Sequence, residues 1–178
     1  MRVPSFSYQE ICGLVSENNL QLFSMFTDEL VIAICWEESL FNNVKQSSGS
    51  AVGLGQVEPA ELWSLKKYGL STNASRILAS PAHAIEVVSY MLRHLYESQK
   101  RNPTRYEALK RYGGYYYDKA AWRLEIIAGW EACERALLQI PSPSWDSPGL
   151  VKDALALARS FPKDDPEYDG RLFPKPAE

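Results

Sequence analysis

The segment DELVIAICWEES, residues 28–39, restricts the fold more than any other stretch of the chain. Leu30, Val31, Ile32, Ala33, Ile34, Cys35 and Trp36 are apolar without a break. A helix built from them has no polar face to turn to water, so the rest of a domain must surround it. Thr27 is placed to cap that helix, and Asp28 and Glu29 suit the positive end of its dipole. The run is far shorter than the roughly 20 residues a membrane-spanning helix needs. It ends on two adjacent acids, Glu37 and Glu38, where a buried helix would have its last turn.

The remaining pattern is helical, with no convincing strand, and a chain of 178 residues is long enough for one full hydrophobic core. Ser7 to Ser16 reads as a first helix. Phe41 to Val57, with Gly49, Gly53, Gly55, Asn42, Asn43 and several serines, has loop composition and room for a small hairpin. Pro59 opens a helix through Tyr68, and Pro81 opens another with Ile85, Val88, Leu92 and Leu95 at spacings of three and four. Tyr106 to Tyr112 is a short helix ended by Gly113-Gly114. Ala120 to Leu138 is a long amphipathic helix with Trp122, Ile126, Trp130, Cys133 and Leu137 on one stripe. The expected fold class is mainly α, with residues 1–140 as one domain. Residues 141–178 are expected to hold a last helix and a proline-rich tail packed on it.

Charge and composition exclude several functions. A net charge of -3, from 19 basic and 22 acidic residues, gives no electrostatic reason to expect nucleic acid. The first residues, MRVPSFSYQEICGLVSENN, are interrupted by Pro4, Gln9 and Glu10 and lack the apolar core of a Sec signal, so synthesis in the cytoplasm without such a signal is the expectation. Cys12, Cys35 and Cys133 all fall inside helical patterns, which predicts buried thiols rather than a disulfide framework. His83 and His94 stand alone at no ligand spacing, so neither a metal nor another cofactor is expected.

Glu38 shares a helical face with Val31, Ile34 and Cys35, at offsets of seven, four and three. Apolar surroundings disfavour the charged form of a carboxylic acid, raise its pKa and make it a proton donor near neutral pH. Glu37 lies beside Leu30, Ala33 and Ile34 in the same way, and periodicity alone does not choose between the two. Both could equally be helix-end acids reaching solvent.

Glu38-Ser39, then Ser47, then SAVGLGQVEP resembles the signature of the soluble lytic transglycosylase (SLT-type) family of the lysozyme-like superfamily. That signature reads Glu-Ser, a Ser nine residues after the Glu, Gly-Ala-x-Gly-Leu-Met-Gln, and a Pro three residues after the Gln. Glu38, Ser47, Gly53, Leu54, Gln56 and Pro59 fit without a gap, while Ser50 stands for the usual Gly and Gly55 for the usual Met. A late Ala-Tyr-Asn-x-Gly turn of that family is matched at LKRYGGYYYDK by Tyr112, with Gly113 in place of the Asn.

The resemblance implies a lysozyme-like helical domain that cleaves the β-1,4 bond between N-acetylmuramic acid and N-acetylglucosamine in peptidoglycan. Glu38 would be the catalytic acid, with Ser47, Gln56, Tyr112 and Tyr115 in the substrate cleft. In that family one Glu protonates the glycosidic oxygen and then, as carboxylate, takes the C6 hydroxyl proton of the same muramic acid, closing a 1,6-anhydro ring. Glu58, Glu61 and Asp118 are the candidates for a second carboxylate, which would make the protein a hydrolytic lysozyme instead. An inactive module that only grips glycan or scaffolds a machine is a further alternative. The substrate lies outside the cytoplasmic membrane, so the implied place of action is the periplasm or cell wall after delivery by a secretion system or phage-type release. An immunity protein or a secretion-machine component is the implied partner.

Overall fold

The computed structural model describes residues 5–20, 25–115 and 119–139, and they are mainly helical. In chain order the elements are α1 (Tyr8–Asn18), α2 (Asp28–Ser39), a 3-10 helix (Pro59–Tyr68), α3 (Ala74–Ala79), α4 (Pro81–Glu97), α5 (Arg105–Tyr112) and α6 (Ala121–Leu138). Among the described residues there is no strand. The hairpin expected in the glycine-bearing loop is reduced to two isolated antiparallel bridges, Lys45 with Val52 and Val52 with Val57. The chain divides into two compact units, Met1–His94 and Leu95–Glu178. The helix and proline-rich tail expected over residues 141–178 lie outside the described residues.

In the first unit α2 is the central element. Leu30 through Cys35 are all buried, which satisfies a helix that is apolar on every side. Thr27 caps it by accepting from the Leu30 N–H at 3.1 Å. Packed against α2, α1 starts from Ser7 in a reciprocal capping box with Glu10 and buries Ile11 and Val15. Buried Asn19 closes α1. Its side chain donates to Asp28 Oδ1 at 2.8 Å and accepts from Ser89 Oγ of α4 at 2.7 Å, so one amide pins the end of α1 to two other helices.

Pro59–Tyr68 is helical as expected, but as a 3-10 helix, in which residues three apart are eclipsed. Pro59, Leu62, Leu65 and Tyr68 form its inner row, with Leu62 and Leu65 fully buried, while Ala60, Trp63, Lys66 and Gly69 form an exposed row. Three-residue spacing of the apolar positions lets this form bury one straight row, which an α-helix would spread around its surface. The short helix α3, capped by Asn73, was not expected from the sequence. It inserts Ile77 into the core.

In the second unit α5 packs on α6. The expected stripe on α6 holds for Trp130, Cys133 and Leu137, which are buried, but Trp122 is half exposed in the first turn, where Arg123 lies over its ring at 4.4 Å. Two acids replace it on the inner face: Glu131 and Glu134 are both buried. Glu134 forms a two-pronged ion pair with Arg105 of α5, one arm at 3.1 Å. Cys35 and Cys133 are buried thiols as expected, whereas Cys12 is only partly covered on α1.

Candidate active site

Glu37 and Glu38 occupy the last turn of α2 and their environments differ. Glu37 is exposed, while Glu38 is half-buried. One turn below, the Cys35 thiol is held far above its ordinary range, first by burial and then by the charge of Glu38. The Glu38 charge is therefore felt at the buried end of α2, and its partial burial beside exposed Glu37 is an asymmetry that the helical period did not decide.

The backbone that presents Glu38 is strained. Leu40 and Phe41 both have left-handed φ angles, 52° and 55°, although neither is glycine. Surrounding contacts hold this turn. Ser39 Oγ donates to the Cys35 carbonyl at 2.9 Å and accepts from the Asn42 N–H at 3.2 Å. The Asn42 amide donates to the carbonyls of Ser39 and Leu40, both at 2.9 Å, and its oxygen accepts from Ser5 Oγ at 2.6 Å. Phe41 is buried with its ring edge-on to Trp36 at 4.9 Å. Ser39 and Asn42 thus hold this turn, where the sequence reading had used Ser39 only as part of the signature and Asn42 only as loop composition. A Ser directly after the glutamates and an Asn three residues further on were the available signal.

Beyond this turn the chain doubles back on itself. Val52 and Val57 exchange both backbone hydrogen bonds at 3.0 Å, the Gln46 N–H donates to the Ala51 carbonyl at 2.8 Å and the Gly53 N–H to the Val44 carbonyl at 3.0 Å. Gly53 has a φ of +85°, and a Cβ there would lie 2.5 Å from Ile77 Cγ2, so only glycine lets the loop close onto α3. Asn43 fastens the same seam by donating to the carbonyls of Ile77 at 2.7 Å and Leu78 at 3.1 Å. Gln56, in the left-handed region at φ 48°, spends its amide nitrogen on the carbonyls of Val44 at 3.0 Å and Gly53 at 2.8 Å. It braces the loop from within, and the amide oxygen is the end it can offer a ligand. Ser47 is exposed in the loop.

Of the three candidates for a second carboxylate, two lie in this first unit. Glu58 is exposed and accepts a hydrogen bond from Ser50 Oγ, the residue standing where the signature has glycine. Glu61 is half-buried, and its pKa is raised by burial and, secondarily, by the charge of Glu58. Asp118 lies outside the described residues.

Tyr112 and Tyr115 belong to the second unit. Tyr112 ends α5 half-buried, its ring edge-on to that of Trp130 at 5.7 Å. Gly113 keeps a helical φ, and it is Gly114, at φ +78°, that turns the chain, closed by the Tyr115 N–H donating to the Lys110 carbonyl at 2.9 Å. A Cβ at Gly114 would sit 2.8 Å from the Arg123 guanidinium, which itself donates to the Gly113 carbonyl at 2.6 Å. Lys110 lies over the Tyr115 ring at 4.9 Å. His83, expected to be structural, meets Glu86 Oε2 at 3.1 Å. Among the described residues no cluster of His, Cys, Asp and Glu could hold a metal ion, and no helix is long and apolar enough to cross a membrane.

A mainly helical fold, a buried helix ending on a half-buried glutamate and a tightly closed loop after it are consistent with a lysozyme-like helical domain. The chain belongs to the transglycosylase SLT domain family, whose model matches residues 20–117, more than half of its length. The family implies lytic transglycosylase-type action on peptidoglycan. Comparisons with curated proteins and with solved structures gave no match.

Proposed function

We propose that this protein is a peptidoglycan lytic transglycosylase that cleaves the β-1,4 bond between N-acetylmuramic acid and N-acetylglucosamine and leaves a 1,6-anhydro-muramic end. The observation that carries this reading is the position of Glu38 within the family match, half-buried in the last turn of the buried helix α2, just before the left-handed Leu40 and Phe41. In its protonated form Glu38 gives its proton to the glycosidic oxygen as the bond to the muramic C1 breaks. The carboxylate then takes the proton of the C6 hydroxyl, whose oxygen closes on C1. The proton count balances within one substrate and one side chain. In the first unit, Ser47 and, through its amide oxygen, Gln56 are the side chains assigned to substrate contact; for Tyr112 and Tyr115 of the second unit that role rests on the family resemblance alone.

The polymer lies outside the cytoplasmic membrane, so the enzyme acts there after delivery, as an antibacterial or wall-remodelling agent. A second reading, hydrolysis, is favoured by one observation: Glu61, half-buried in the same unit as Glu38, has a raised pKa suited to a base that activates water. Replacement tests separate the two. Glu38→Gln abolishes cleavage of purified sacculi under either reading, whereas Glu61→Gln abolishes it only under hydrolysis. Full activity of Glu38→Gln would remove both.

A further inference from the structure

The exposed row of the 3-10 helix carries a side chain that the fold does not use. Trp63 is 71% exposed, the most exposed of the large hydrophobic residues described. Its row neighbours are Ala60, too small to cover the indole, and Lys66, eclipsed one turn on. At the end of the same helix, Tyr68 gathers two more cations. Lys67 Nζ lies over its ring at 4.7 Å, and the Arg93 guanidinium, from α4, at 5.0 Å. Tyr90 packs beside it, with ring centroids 5.0 Å apart. An exposed indole with Lys66 on its own row thus stands on a helix that ends, on its inner row, at Tyr68 with the Lys67 and Arg93 cations, in a chain whose net charge is -3.

We propose that this helix is an accessory binding surface for the peptidoglycan strand, on which Trp63 stacks against a sugar ring and Lys66, on the same row, holds a stem-peptide carboxylate, while Lys67 and Arg93 hold further carboxylates at the helix end. The inference rests on the peptidoglycan-cleaving reading above. Indole faces suit the axial C–H faces of pyranose rings, and a strand bearing peptide carboxylates at alternate sugars supplies both partners at once. The aromatic contacts of Lys67 and Arg93 hold their charges near the helix end, which lowers the ordering cost of meeting an anion there. A neutral sugar polymer would use only the indole. The cations specify an acidic strand.

The test is co-sedimentation of the Glu38→Gln protein, which holds the strand without cutting it, with purified sacculi. Into that protein are placed Trp63→Ala and, separately, the double charge reversal Lys66→Glu with Lys67→Glu; all three residues are exposed, and far-UV circular dichroism checks the fold. Trp63→Ala is expected to raise the Kd about tenfold. The charge reversal should raise it as much at low salt and less at high salt. On sacculi stripped of stem peptides by an amidase, the charge effect should shrink and the Trp63 effect persist. With Glu38 intact, both variants should raise KM more than they lower kcat. Sedimentation of both variants with the parent Kd, the parent itself binding and cleaving, would overturn the accessory surface alone. A Glu38-intact parent that neither cleaves nor sediments with sacculi would overturn the peptidoglycan reading, and this surface with it.

Discussion

Glu131→Gln should change how the stability of the second unit depends on pH. Glu131 is 1% exposed on α6, and its Oε1 has no hydrogen-bond partner. Burial pushes its pKa up to about 9 from an ordinary 4.5. Arg105 pulls against that shift, and the neighbouring Glu134 adds to it. Between those two values the folded chain keeps a proton that the unfolded chain has lost. Stability contributed by protonated Glu131 is therefore complete below about pH 4.5 and falls as pH rises toward about 9. The limiting slope is about 1.4 kcal/mol per pH unit. Gln keeps the size and cannot ionise, so it removes that slope, whatever constant offset its amide introduces. Urea titrations from pH 5 to 8, followed by the fluorescence of buried Trp130 and its neighbours, should show the variant gaining on the parent at each step upward. A parent-minus-variant difference that stays flat with pH would refute the buried, protonated carboxyl.

Three further outcomes follow from the geometry. Gly53→Ala combines a left-handed φ with a 2.5 Å clash on Ile77, so it should cost about 2 kcal/mol or more in a denaturation curve and lower activity by displacing the loop. Ser39→Ala removes the hydroxyl that joins the Cys35 carbonyl to the Asn42 N–H; a stability loss of about 1 kcal/mol is expected, with a drop in kcat larger than that loss explains. Glu37→Gln, at an exposed position, should retain most sacculus-cleaving activity while Glu38→Gln retains almost none, measured side by side as turbidity loss.

The elements that could be read from the sequence were those with one dominant physical signal. An apolar run with no polar side and a capping threonine defined α2, and Pro81 with its three-four spacing defined α4. The 3-10 form of Pro59–Tyr68 was written in the strict three-residue spacing of Leu62, Leu65 and Tyr68, but three positions are too few to set a period of 3 apart from one of 3.6, since i, i+3 neighbours share a face in both. Helix α3, only six residues long, is too short for any periodicity to emerge, and its cap Asn73 resembles a turn residue. Trp122 was misplaced because a stripe continues to the end of a helix while the core does not. Buried Glu131 and Glu134 could not be foreseen, since the tolerance for Glu134 comes from Arg105, 29 residues away on another helix. At the candidate site the motif spacing had already singled out Glu38 over Glu37; what the helical period did not carry was their unequal burial. The reason for Gly53 needed the branched side chain of Ile77, which no local pattern places there.

Digestion of purified sacculi by the intact protein, followed by mass spectrometry of the released muropeptides, tests the central claim most directly. Intramolecular capture by the C6 hydroxyl leaves no reducing end, so the account predicts 1,6-anhydro-muropeptides, lighter by one water than hydrolytic products and absent when Glu38 is replaced by Gln. Reducing-end muropeptides as the main product would contradict it and assign the reaction to a second carboxylate.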